Sequence, residues 1–433
     1  MVENVYTQRL TADRADGACP VTALGEAFNP FTDPYISDPY AFYARARAEE
    51  PVFYSPEIDH WVVSRYEHVK AMLQDTEQYS SRNAQTPIKP WPPEAVKLLT
   101  AQEFRLMPNL SNNDPPSHTQ VRRFLNDAFT PKRIKWLEPH VRRIVNEAID
   151  AFSHKPQVDL IKELFYETPA RVLFTFLGIP ESDIERVKAW SAGRALLTWG
   201  KLSDAEILAQ MPTFIAYIKY CYDLVDRLDR EPGDDYTSEL LHKLKAEQPE
   251  GMDKDRIAIT IFGLLMAGHE TTTNQSGNGL RTLLQHRDAW EALCQDPGLI
   301  PNAVEEIIRH ESSVVAWRRV AKRPVTIEGI TIPEGAQILV LLGAANRDES
   351  QFADAERFDI YRKDARQHVS FGHGIHYCLG APLARLELKI FLEELTRRLP
   401  HMRLVEGQRY QYSPNTSHRG PTTLLVELGG VAG

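Results

Sequence analysis

The sequence predicts a mainly α-helical protein with small β-sheets: an α-rich body joined to a β-rich subdomain. Three observations carry this expectation. Segments of helical hydrophobic period fill the middle of the chain, and short β-branched and aromatic runs cluster toward its two ends. Over 433 residues, 42% apolar against 25% charged is enough to bury a large core, which excludes disordered and low-complexity classes. Residues 31–430 are expected to form one domain behind an N-terminal extension, 1–30.

In chain order, 52–54 and 61–64 read as strands, because β-branched and aromatic residues dominate them. The stretch 81–117 holds seven prolines and no clear period, the pattern of a lid or binding loop. Helical spacing then runs over 121–129, 134–152, 205–230, 257–285 and 303–310. Strand-like runs return at 325–327, 331–332 and 338–342. A last helix fits 379–399, where Leu383, Leu386, Ile390, Leu395 and Leu399 share a face and Pro400 stops the element.

Fifty basic against fifty-nine acidic side chains leave a net charge of −9, unsuited to coating nucleic acid or an anionic membrane. Cys19, Cys221, Cys294 and Cys378 lack CxxC spacing, so neither a disulfide scaffold nor a zinc module is expected. The first 21 residues contain no apolar signal region, and the longest apolar run, 257–268, falls short of the roughly 20 residues a spanning helix needs. A cytoplasmic protein with no membrane partner is the expectation.

The most informative stretch is Phe371-Gly372-His373-Gly374-Ile375-His376-Tyr377-Cys378-Leu379-Gly380. Three glycines within nine residues of one cysteine describe a tight loop where backbone lies close to something flat. Cys378 stands where the last helix begins, and amides there favour a thiolate. Such a thiolate suits a haem iron. A structural cysteine in a glycine-rich turn, or a metal site from His373, His376 and Cys378, are the alternatives. A second anomaly is Ala267-Gly268-His269-Glu270-Thr271-Thr272, which interrupts an apolar helix with glycine, a carboxylate and two hydroxyls. A threonine hydroxyl that bonds the carbonyl one turn back can bend a helix there; a solvent-exposed polar patch is the plainer reading. Glu306 and Arg309 stand one turn apart, usually a surface pair of little worth. His118 and Arg122 share a helix face at i and i+4.

The cysteine stretch resembles the haem-ligand signature of the cytochrome P450 family, FGxGxHxCxG, at every fixed position. The resemblance spans about residues 31–428 and implies that family's fold, haem b as cofactor, and Cys378 as the iron ligand. Phe371, Gly372 and Gly380 would shape the loop around it. The string at 267–271 resembles the family's oxygen-activation motif, [AG]Gx[DE]T. By that match Glu270 and Thr271 move protons to dioxygen, with Thr272 the competitor for the alcohol role, and Ala267 leaves room over the cofactor. DPPxHTxxRR is similar to residues 114–123, which implies that His118 and Arg122 bind a haem propionate. Arg319 (or its neighbour Arg318) and His368 complete the implied clamp. Glu306 and Arg309, joined by Arg357 from Ala355-Glu356-Arg357-Phe358, are implied to form a buried structural network.

The implied activity is monooxygenation: one atom of O2 enters a small, mainly apolar or aromatic substrate by hydroxylation or O-dealkylation. Two electrons come from an NAD(P)H-linked donor, and the chain shows no Rossmann fingerprint or ferredoxin cysteine run. A ferredoxin with its reductase, or a fused FMN/iron–sulfur reductase of the phthalate-dioxygenase type, is therefore implied. Arg122, Arg123, Lys132, Arg133, Lys135, Arg142 and Arg143 read either as a solvated face or as a docking patch for that donor. Phe104, Leu110, Leu264, Ala267, Val315 and Trp317 are expected in the pocket, with 415–417 contributing from a C-terminal loop. A peroxide-driven peroxygenase and a haem-based gas sensor are the competing readings.

Overall fold

Helix starts in this chain are chemically marked. Thr130, Ser203, Asp235 and Asp253 each precede a helix and accept a bond from an amide of its first turn, at Arg133, Glu206, Ser238 and Arg256. The computed structural model describes residues 21–191 and 193–429. Cys19 and most of the expected extension 1–30 lie outside them. The helices Pro131–Phe152, Asp204–Arg230, Ile300–His310 and Ala381–Arg398 build the body around one apolar core that includes Ile144, Phe165, Leu283, Trp290, Ile307 and Phe391.

Residues 52–80 and 317–340 meet in one five-stranded sheet, in the order Val52–Ser55, His60–Val63, Gln337–Val340, Trp317–Ala321, Tyr79–Ser80. All neighbours run antiparallel except His60–Val63 with Gln337–Val340, where Trp61 pairs with Ile338. A second sheet joins Gln157–Asp159, Leu425–Glu427 and Arg403–Leu404, and Val325–Ile327 pairs with Ile330–Ile332. This is the expected α-rich body with a β-rich subdomain.

Three elements depart from the expected ones. The span 257–285 is two helices, Lys254–Ala267 and Glu270–Gln285, separated at Gly268 and His269. The prolines of 81–117 hide a short helix, Pro93–Thr100, whose buried residues Ala95 and Leu99 supply a single i,i+4 pair. Strand Trp317–Ala321 was masked by Arg318 and Arg319, whose charges read as exposed; both side chains are buried.

The expected network also changes membership. Glu306 and Arg309 are completely buried and paired twice, at 2.7 and 2.8 Å. Their third partner is Arg362, with Nε 3.3 Å from Glu306 Oε1, and not Arg357. A turn from Asp354 to Arg357 directs the Arg357 side chain to solvent, leaving only its carbonyl to accept from Arg309 and Arg362. A second turn, Asp359 to Arg362, curls the chain back, and Asp359 N donates to the same Glu306 oxygen at 2.9 Å.

Candidate active site

The cysteine loop is closed by its own backbone. Cys378 N donates to Phe371 O at 2.8 Å and Gly372 N to Val369 O at 2.8 Å. Gly372 and Gly374 adopt φ of +73° and +68°, a region costly for side chains. The helix then starts at Ala381, with Pro382 in its first turn. A Cβ added to Gly380, which borders the same cavity as Cys378, would meet nothing within 4 Å and would stand in open space. Burial pushes the Cys378 thiol up, against the pull of the Gly380 amide, Arg122, the Ala381 amide and Arg385. The thiolate expected from the helix start alone is thus outweighed by desolvation; a metal ion on the sulfur would hold it deprotonated.

The broken helix borders that cavity through Ala267, Gly268, Thr271 and Thr272. Leu173 occupies the space beside Gly268, 2.8 Å from where a Cβ would stand. Past the break, hydroxyls add bonds to carbonyls of the preceding turn: Thr271 Oγ1 donates to Ala267 O at 2.6 Å, and Thr273 Oγ1 donates to His269 O at 3.1 Å beside its own amide. Glu270 does not line the cavity. Its Oε1 lies 3.9 Å from His418 Nδ1, and its Oε2 is buried without a partner. His269 turns away between the rings of Tyr166 and Phe174, where burial lowers its pKa to about 4.

Cations ring the cysteine end. Arg122 and Arg319 line the cavity, and Arg122 Nη1 also donates to Tyr377 O at 2.8 Å. Arg318 instead donates to Ala84 O at 3.0 Å, outside the lining. Burial lowers Arg319 to about 10. His118 is buried with neither ring nitrogen bonded, its ring 4.2 Å from that of His376. His368 does not reach this rim. It is buried 3.3 Å from Glu305 Oε2, and its Nδ1 accepts from Ser370 N at 3.2 Å. His376 lines the cavity in its stead, 3.0 Å from Ser81 Oγ. The clue to His376 was in the sequence, since it is the fixed histidine of the motif two residues before Cys378. Among the described residues, His373, His376 and Cys378 do not converge on one point, so no three-ligand metal site forms there.

This donor set fits haem. One soft sulfur, an open space at Gly380, two lining arginines and an orphaned buried histidine match a planar iron porphyrin with two carboxylates.

The cavity measures about 270 Å³. Leu110, Leu264, Ala267 and Trp317 line it. Phe104 does not; it stacks on Tyr222 with ring centroids 5.6 Å apart. Val315 points into a separate small cavity, because Val314 and Trp317 take the inward positions. The residues 415–417 do not line it either, and His418 reaches in instead. Gln85, Asn109 and Ser111, unmarked in the sequence, add a hydrogen-bonded polar patch: Gln85 Nε2 donates to Ser111 Oγ, which donates to Asn109 Oδ1.

Comparison with known proteins agrees with this reading of the fold. The cytochrome P450 family model matches residues 212–402. Cytochrome P450 107B1 of Saccharopolyspora erythraea is 36% identical over 397 residues, 88% of this chain and 94% of that protein. An intact type IV self-sufficient cytochrome P450 monooxygenase superposes with a TM-score of 0.91 at 42% identity; the match covers 94% of this chain and 54% of that one. This chain therefore spans about half of that larger protein. Cytochrome P450 CREJ, solved with (4-ethylphenyl) dihydrogen phosphate, gives a TM-score of 0.89 at 38% identity, covering 93% and 99%. Among the described residues no helix is long and apolar enough to cross a membrane. The chain belongs to the cytochrome P450 family, oxidoreductases of the monooxygenase class whose cofactor is haem b.

Proposed function

We propose that residues 31–430 form one haem domain that hydroxylates or O-dealkylates a small, mainly apolar organic substrate. The observation that carries this reading is the shared cavity: Cys378 and the Ala267–Thr271 break border one space with a largely aliphatic and aromatic wall. Cys378 would hold the iron, and His118, Arg122, Arg319 and His376 would hold the propionates. Haem, when bound, would supply the activation of O2 and the transfer of one of its atoms to the substrate, the other leaving as water. Ala267 and Gly268 keep side-chain bulk away from that space. Thr271, whose proton is engaged on the Ala267 carbonyl, offers its oxygen as an acceptor at the cavity wall. Glu270 would carry protons to it from outside the cavity.

Leu110, Leu264 and Trp317 favour an apolar or aromatic body, and the Gln85–Ser111–Asn109 patch favours a polar end. CREJ, with an alkylphenyl phosphate bound, is a relative whose ligand has that general form. The electrons would come from an NAD(P)H-linked ferredoxin and reductase, or from a fused reductase as in the self-sufficient neighbour. Glu270 and Thr271 standing together at the break favour this over a peroxide-driven enzyme or a gas sensor, neither of which needs a proton route.

The test is the reduced, carbon-monoxide-bound spectrum. It should show thiolate ligation in the wild type and lose it in Cys378→Ala. Thr271→Ala should bind haem normally but divert reducing equivalents to hydrogen peroxide; unchanged coupling would remove Thr271 from the relay.

A further inference from the structure

We infer that His418 supplies protons to Glu270 from a second cavity behind the C-terminal loop. This rests on the relay reading above and adds its entry point. The Glu270 carboxylate has two flanks. On one, Lys188 is held by Glu167 and, at 2.7 Å, by Glu185, with its ammonium 4.8 Å over the Tyr166 ring. His269, beside it, is enclosed by aromatic rings. On the other flank stands His418, with Nδ1 3.9 Å from Glu270 Oε1. That nitrogen is buried without a hydrogen-bond partner, as is Glu270 Oε2, so a small rotation of either side chain closes a hydrogen bond that both lack.

His418 also sits between two spaces. It borders the cavity of Cys378 and Thr271, and a smaller one of about 20 Å³ among Tyr35, Tyr43, Tyr412 and Asn415. Space of that size holds a water. Ser413, which also lines it, is exposed. Besides Glu270, the titratable or charged groups around the imidazole are these three tyrosines and Arg419, whose guanidinium is turned to the carbonyls of Ile36 and Ser37.

The loop is built to hold the ring there. Asn415 Oδ1 accepts from the amides of Ser417 and His418 at 2.9 and 2.6 Å, and its Nδ2 donates to His418 O at 3.0 Å. The imidazole packs against Trp199, with centroids 4.4 Å apart and the rings tilted by 51°. Arg419 O accepts from Asn278 Nδ2 at 2.9 Å. Gly420 approaches the helix so closely that an added Cβ would come 2.6 Å from Asn274 Cα, one turn past Glu270. The loop is thus registered on the helix that carries the acid.

The step balances simply. A proton leaves the His418 imidazolium for the Glu270 carboxylate, and the neutral imidazole takes another from water in the smaller cavity. One solvent proton enters and no electron moves. His418 acts through Glu270, which makes it a positioning residue.

Two measurements on the holoenzyme test this. In protein labelled with ¹⁵N-histidine and held in the reduced carbon-monoxide form, the ring nitrogen resonances of His418 should move in Glu270→Gln relative to wild type. No shift would overturn the pairing. Oxygen consumption driven by a surrogate ferredoxin and reductase, without added substrate, should slow about tenfold or more in His418→Phe. Combining this change with Glu270→Gln should slow it no further. His418→Gln, which keeps a hydrogen-bonding side chain, should be as slow while its carbon-monoxide spectrum stays that of wild type. A fast His418→Phe or His418→Gln beside a slow Glu270→Gln overturns the His418 route and spares the relay; a fast Glu270→Gln sinks the relay itself.

Discussion

The Glu306 cluster and the rim of the cysteine cavity are both buried and both rich in cations, yet they differ in how far their polar atoms are satisfied. Arg309 places Nε and Nη2 on Glu306 and Nη1 on the carbonyls of Asn346 and Ala355, so every nitrogen is engaged. At the rim, neither His118 nitrogen is bonded, and Arg319 directs one bond to the Arg318 carbonyl. Folded proteins leave few buried polar atoms unpaired. A saturated cluster is therefore framework, and an unsatisfied one marks where a ligand belongs.

The largest expected effect sharpens this contrast inside the framework. Arg362→Ala takes one cation from a fully buried carboxylate and should cost about 3 kcal/mol in urea unfolding. Arg357→Ala removes an exposed side chain and should stay within about 0.5 kcal/mol. Equal losses would return Arg357 to the cluster. The next effect concerns the rim. His118→Phe removes two desolvated nitrogens and should stabilise the haem-free protein by about 1 kcal/mol, while haem passes faster to apomyoglobin. A destabilised apoprotein would mean that His118 is framework after all.

The last effect is a pH dependence at Glu305, the neighbour of Glu306, which is held by His368 and Arg385. Burial raises its pKa, but the bonds from His368 and Arg385 outweigh this and bring it from its ordinary 4.5 to about 2. A lowered carboxyl adds stability that is complete above 4.5 and is lost as pH falls through about 2. In Glu305→Gln stability should be lower than wild type at neutral pH, where that contribution is complete, and the acid limb should be flatter between those limits. An unaltered acid limb would show that the carboxylate is not held ionised.

Local patterns were legible, and partnerships across the chain were not. The glycine-bracketed Cys378 and the break at Gly268 declare themselves because their anomalies lie within ten residues of sequence. Arg357 and Arg362 could not be ranked that way, since the turns at Asp354 and Asp359 decide which one faces Glu306. His368 and His376 pose the same problem. Both stand near the motif, and only the packing of Glu305 against the first leaves the second to the cavity. Val315 and Phe104 were misplaced because apolar character does not say which cavity, or which neighbouring ring, a side chain meets. His418 lacked any sequence signal; its place is set by contacts of Asn415 and Gly420.

The basic stretch after Arg122 carries a last consequence. Glu239 holds Arg133, Glu138, Glu393 and Glu394 hold Arg142, and Glu147 holds Arg143. Among the described residues Arg123, Lys132 and Lys135 make no ion pair, and they lie close in sequence to the indole of Trp136, which is 67% exposed. A docking protein would find most of the arginines of this stretch already paired, with few free cations beside the exposed indole in sequence. Its encounter rate should then fall only shallowly as ionic strength rises, where a fully uncompensated arginine surface would give a steep decline.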